Sequence, residues 1–217
     1  MLSARSVAGR GHGHDILGHI ADQLDKGTFR SEDPGKAFIC EHAVRNIWSN
    51  RNDIKDLLNC GQWNDDDIGL IQRDFIKILS ILILIGSDAL LNLYCKKYLL
   101  NPEFTDHKLP FDERKLLEFL DPRSAPRFQE QQYKFIPVLI EEDSLDNHHE
   151  IPPQFRLPFI YEGSEIGRGG YGIIDEVCIA PGYLRSRNGS SNWPNVSSPT
   201  PICYIFVNIR HSPGDLP

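Results

Sequence analysis

The feature that most constrains this chain is a helical period that ends in an apolar run. Ile68, Ile71, Phe75, Ile78, Leu79 and Leu82 recur at the spacing that lines one face of an α-helix. Asn64 or Asp65 is placed to cap its start, the aspartates that follow suit the positive end of the helix dipole, and Gly86 is placed to end it. The spacing predicts one helix from about Asn64 to Gly86. Its last two turns, through Ile81-Leu82-Ile83-Leu84-Ile85, are apolar on every side, which suits the centre of a bundle. The unbroken run is far short of the roughly 20 residues that span a bilayer, so it reads as core.

Helical texture extends to either side. Asp15 can cap a short amphipathic helix that groups Ile16, Leu17, Ile20 and Leu24 and stops at Gly27. A second candidate starts near Pro34-Gly35 and buries Phe38, Ile39, Val44, Ile47 and Trp48. Ser87 or Asp88 opens another through Leu90, Leu93, Tyr94 and Tyr98, stopped before Asn101-Pro102. A short helix from Phe111 to Leu120 is halted by Asp121-Pro122. The short connections favour antiparallel neighbours. After Pro126 the texture changes: Gln131 to Ile140 reads as a helix leading into a strand, and Glu141 to Glu150 as an acidic linker.

Composition narrows the function classes. The chain of 217 residues is 40% hydrophobic and 24% charged, which excludes wholesale disorder. A net charge of −7, spread along the chain, argues against a basic nucleic-acid surface. No apolar segment follows Arg5 and Arg10, so no secretory signal is expected, and the sequons at Asn188 and Asn195 read as chance. The five cysteines, Cys40, Cys60, Cys95, Cys178 and Cys203, are odd in number and lack a CxxC pair. Reduced thiols in an intracellular, cytoplasmic setting are the expectation. His148-His149 has no third ligand in its pattern, so no metal site is expected.

One motif carries chemistry. Phe159-Ile160-Tyr161 reads as strand, Gly167-Arg168-Gly169-Gly170-Tyr171-Gly172 as a glycine-rich turn, and Ile173 to Ile179 as a returning strand. Glycines allow the positive φ angles and close backbone approach by which such a flap presents N–H groups to phosphate oxygens. A dinucleotide-binding unit would need a helix straight after the loop and an acid about 20 residues on. Here a strand follows instead, then Pro181-Gly182.

The run from Ile166 to Ile174 resembles the Gly-rich loop of protein kinases, GxGxxGxV, with Ile174 in place of the valine. Ile78 to Gly86, Gln131 to Pro137 and Leu157-Pro158-Phe159 are similar to the helical leader ahead of the kinase domain in many filamentous-fungal proteins. The resemblance implies an α+β chain: a helical N-terminal region followed by the first β-hairpin of a protein-kinase-like N-lobe. It implies a helical leader over 15–125, a linker over 126–158 and the start of the kinase-like domain over 159–179, while 1–14 reads as a disordered N-terminus and 180–217, rich in Ser, Gly, Asn and Pro from Pro181 to Pro201, as a disordered tail. ATP is the implied cofactor, held by Ile166, Gly167, Arg168, Gly169, Gly170, Tyr171, Gly172 and Ile174. The implied activity is transfer of a phosphoryl group to serine or threonine hydroxyls.

The rest of that family's machinery is missing. No lysine follows Lys134, and neither HRD nor DFG occurs. The nearest counterpart of the lysine strand is Val207-Asn208-Ile209-Arg210, and a guanidinium fork does not replace a compact ammonium. The stretch after the loop is also shorter than a domain of about 100–150 residues, so the chain reads as truncated. No catalytic residue is therefore expected, and ATP binding should be weak or absent. The alternative is a helical interaction or regulatory module with a vestigial nucleotide loop, binding a protein partner through the leader and neither nucleic acid nor membrane.

Overall fold

The computed structural model describes residues 11–30, 36–58, 63–86, 88–141, 151–169, 172–185 and 202–208, with backbone alone for 11–15, 88, 161–166, 168–169, 172–177 and 202–208. The chain forms two compact units, one of Met1–Thr28 with Ile39–Ile136 and one of Phe29–Phe38 with Pro137–Pro217. Helices make up the first and the longer strands lie in the second, so the class is α+β.

The helical unit contains α1 (Gly11–Lys26), α2 (Glu41–Ile47), α3 (Arg51–Leu57), α4 (Asp65–Asp74), α5 (Ile76–Leu84), α6 (Asp88–Lys97), α7 (Glu113–Leu116) and α8 (Ala125–Gln132). Local capping sets several of these starts. Asn64 Oδ1 accepts the Asp67 N–H at 2.8 Å while Asp67 Oδ2 accepts the Asn64 N–H at 3.2 Å, a reciprocal capping box. Asn50 caps α3 by accepting the Asn52 N–H, and Asp112 caps α7 by accepting the Lys115 N–H. At the other end of α5, Gly86 adopts φ +72°, the left-handed conformation that closes a helix.

Apart from α1, which begins at Gly11 so that Asp15 lies inside the helix and does not cap it, three sequence expectations are corrected here. Phe38-Ile39 is strand β2, paired with β1 (Thr28–Phe29), and the helix expected from Pro34-Gly35 begins only at Glu41. The Ile39 N–H donates to the Lys134 carbonyl at 2.9 Å, a tertiary partner that helical spacing does not reveal. Helix α8 ends at Gln132 and starts at Ala125, with Pro126 in its first turn, where a missing N–H costs nothing. The third correction concerns the long helix. It is two helices, broken at Phe75 with φ −134° and ψ −2°.

No glycine or proline sits at that break. Its cause is Asp106, in a 3-10 turn spanning Asp106–Lys108. The Lys77 N–H donates to Asp106 Oδ2 at 2.9 Å and the Ile78 N–H to Asp106 Oδ1 at 3.0 Å. A carboxylate from another segment thus enters the backbone ladder and kinks the helix.

Helix α5 is buried nearly all round, at Ile76, Ile78, Leu79, Ser80, Ile81, Leu82 and Ile83. Its one buried polar side chain is satisfied: Trp48 Nε1 donates to Ser80 Oγ at 2.8 Å, and Ser80 Oγ donates to the Ile76 carbonyl at 2.7 Å. Beside it, Phe104, Phe111, Phe119 and Phe128 pack edge-to-face or stacked at centroid distances of 5.4–6.4 Å. Fully buried Gln132 closes that cluster by exchanging two hydrogen bonds with the Phe111 backbone. Among the described residues, no helix is long and apolar enough to cross a membrane.

The second unit is built on strands. β3 (Ile140–Glu141) pairs in parallel with β6 (Leu184–Arg185). β4 (Phe159–Gly169), β5 (Gly172–Ile179) and β7 (Ile202–Asn208) form an antiparallel sheet in the order β4-β5-β7. β6 and β7 lie within 180–217, the stretch read from its composition as a tail.

The cysteines depart from the sequence reading in one respect. Cys40 and Cys95 are not in disulfides, and burial pushes the Cys40 thiol up to about 12. Cys178, however, is disulfide-bonded, and its register partner on β7 is Cys203. Strand pairing creates a neighbour that wide spacing in sequence conceals.

Candidate functional site

The glycine-rich run occupies the turn of the β4–β5 hairpin. Register pairs run from Phe159↔Ile179 to Gly167↔Ile174, Arg168↔Ile173 and finally Gly169↔Gly172. Gly170 and Tyr171 make up the connection and lie outside the described residues. A two-residue connection is the length at which glycine is most useful, because the favoured hairpin turns need positive φ. Of the residues expected to hold a nucleotide, Ile166, Gly167, Arg168 and Gly169 lie on β4, and Gly172 and Ile174 on β5.

The hairpin is irregular on one side only. Register shifts fall between Phe159 and Tyr161, Glu162 and Glu165, and Glu165 and Gly167. Each adds residues to β4 relative to β5, which bends the strand and strengthens its twist. Ile166 is the extra residue of the last shift, one position before Gly167, whose partner is Ile174. Just below the turn, Glu165 and Asp175 are directly opposed.

On the far side of β5, Ile174 pairs with Val207 and Ile173 with Asn208. The stretch Val207-Asn208-Ile209-Arg210 therefore begins inside a strand neighbouring the hairpin, while Ile209 and Arg210 lie outside the described residues. His148-His149 also lies outside them. Among the described residues no cluster of three or more His, Cys, Asp or Glu side chains is arranged to hold a metal.

A second polar site, in the helical unit, went unnoticed in the sequence. A cavity of about 60 Å³ is lined by Glu41, Arg45, Arg73, Lys77, Asp106 and His107 around Ile76. Glu41 pairs with Arg45 at 2.7 Å and with Lys77 at 3.3 Å, and Asp74 pairs with Arg73 at 2.8 Å and with His107 at 3.2 Å. Burial alone would raise the Glu41 carboxyl, but Lys77 and Arg45 together hold it below its ordinary value. Hydrogen bonds from Arg73, joined by His107, hold Asp74 low as well. Asp106 behaves oppositely. Burial pushes it up to about 6, against the pull of two backbone N–H groups, Lys77 and His107. These residues come from three distant stretches, and no motif links them.

No family model, curated protein or solved structure matches the chain.

Proposed function

We propose that the chain carries the nucleotide-phosphate flap of a protein-kinase-type domain behind a helical docking or regulatory region, and that it is catalytically silent alone. The observation that supports this reading is the antiparallel order β4-β5-β7, with the Gly167–Gly172 run at the hairpin turn and a third strand beside β5. Kinases of this type carry a Gly-rich loop over the ATP phosphates and the phosphate-binding lysine on the third strand. In this reading, backbone N–H groups from Arg168 to Tyr171 face phosphate oxygens, and Ile166 and Ile174 bracket the base. The helical unit's role as a docking element is supported by a core that closes within that unit.

The third strand lacks the lysine, and the chain has no HRD or DFG aspartate to place a hydroxyl or magnesium. The full chain should therefore show no phosphotransfer to protein hydroxyls. Purified protein that turns over ATP, with turnover altered in Asp175→Ala or Arg210→Ala, would overturn that expectation, whereas turnover unchanged in both variants would be contamination.

Binding is a separate test. One flap encloses little of a ligand, so Mg-ATP should bind in the millimolar range. A Cβ at Gly169 crowds the approach of phosphate to the backbone, and Gly169→Val should weaken binding by at least about tenfold. Equal titration curves for the two proteins would remove the loop from the account.

A further inference from the structure

We propose that the break between α4 and α5 is a two-state joint, closed when Asp106 caps α5 from the neighbouring 3-10 turn and open when α4 and α5 run as one helix. The local sequence favours the open form. The apolar period passes through Phe75 without interruption, and neither proline nor glycine marks a boundary. Phe75, at the N-cap of α5, has no side chain able to cap it.

Ladder bonds persist on both sides of the break. The Phe75 N–H donates to the Ile71 carbonyl at 3.0 Å, and the Leu79 N–H to the Phe75 carbonyl at 3.1 Å. The Lys77 and Ile78 N–H groups turn instead to Asp106. In a continuous helix their partners would be the Arg73 and Asp74 carbonyls, the i−4 positions. Each of the two amides exchanges one acceptor for another, so neither is left unpaired in either state, as a switchable element requires.

The turn that closes the joint grips both helices. Asp106 holds the first turn of α5, while His107 Nε2 lies 3.2 Å from Asp74 Oδ1 at the end of α4. Lys77 and His107 are the titratable groups that act on Asp106, which in turn acts on Tyr94. The adjoining cavity and the exposed side chains of Arg73 and His107 leave room for the turn to withdraw. This proposal concerns the helical unit alone and is independent of the nucleotide reading.

The test is Asp106→Ala in the full chain, followed by NMR at Phe75, Lys77 and Ile78. The expected result is a shift of the Phe75 HN–Hα coupling and Cα chemical shift into the helical range. The Lys77 and Ile78 amides should stay protected, because the ladder replaces the lost cap. A Phe75 that keeps non-helical values overturns the proposal. In that case the two amides, left without partners, should exchange on the order of 10- to 100-fold faster. Should the alanine variant not fold, Asp106→Val fills more of the site and offers no acceptor, and the same two readings at Phe75 decide.

Discussion

Replacing Phe128 with alanine is expected to cost about 3–5 kcal/mol of stability, the largest effect of any single change considered for this chain. Phe128 is fully buried, stacked with Phe111 at 6.4 Å and edge-on to Phe119 at 5.7 Å. Its removal leaves a cavity walled by rigid aromatic rings, which collapse poorly. A domain's whole stability is about 5–15 kcal/mol, so the loss is a third or more of a typical value. Urea unfolding followed by the emission of Trp48, buried in the same core, measures it. Leu117→Ala, at a side chain 45% exposed, is the control and should stay within about 1 kcal/mol. Equal midpoint shifts in the two variants would show that the aromatic cluster is not the core of this unit.

Stability should also fall as pH rises from about 4 to about 6, through Asp106. Its carboxyl is raised from 3.8 to about 6 by burial. Between those values the folded chain holds a proton that the unfolded chain has lost, so raising the pH favours unfolding. Two pH units correspond to about 3 kcal/mol, present below pH 4 and lost above pH 6. Glu41 and Asp74 act with the opposite sign, because their carboxyls are held low, and their contribution fades as pH falls below about 4. Comparing the parent with Asp106→Asn at pH 4.5 and pH 7 isolates the buried group. The variant should lose less stability than the parent across that interval. A parent–variant difference that does not change with pH would refute the assignment.

Both effects arise where distant segments meet, and this is where the sequence is least legible. The helices that begin at Asp65 and Asp88 lie where the apolar period and the capping residues place them, and Gly86 closes α5 as its conformational freedom suggests. Helix α3 was missed although Asn50 supplies its cap, because its apolar face is short. Phe38-Ile39 reads as helix by spacing and is strand by partnership. At the candidate nucleotide loop, the glycine run located the hairpin turn because glycine favours tight connections between strands. Neither the register shifts in β4 nor the pairing of β7 with β5 is visible in the residues themselves.

What this sequence determined by itself is short-range: a helical period from Ile68 to Leu82, a cap at Asn64 and a stop at Gly86, and a glycine turn between two strands. Such signals act within one or two turns of helix or across one hairpin, so each residue carries its own instruction. Tertiary structure alone decided that Asp106 breaks the long helix, that Glu41, Arg73, Lys77 and His107 share a cavity, and that Cys178 faces Cys203 in register. Those outcomes depend on which carboxylate, cation or strand edge packing delivers from a remote part of the chain. A buried N–H group donates to whichever acceptor reaches it, and sequence spacing holds no record of that choice.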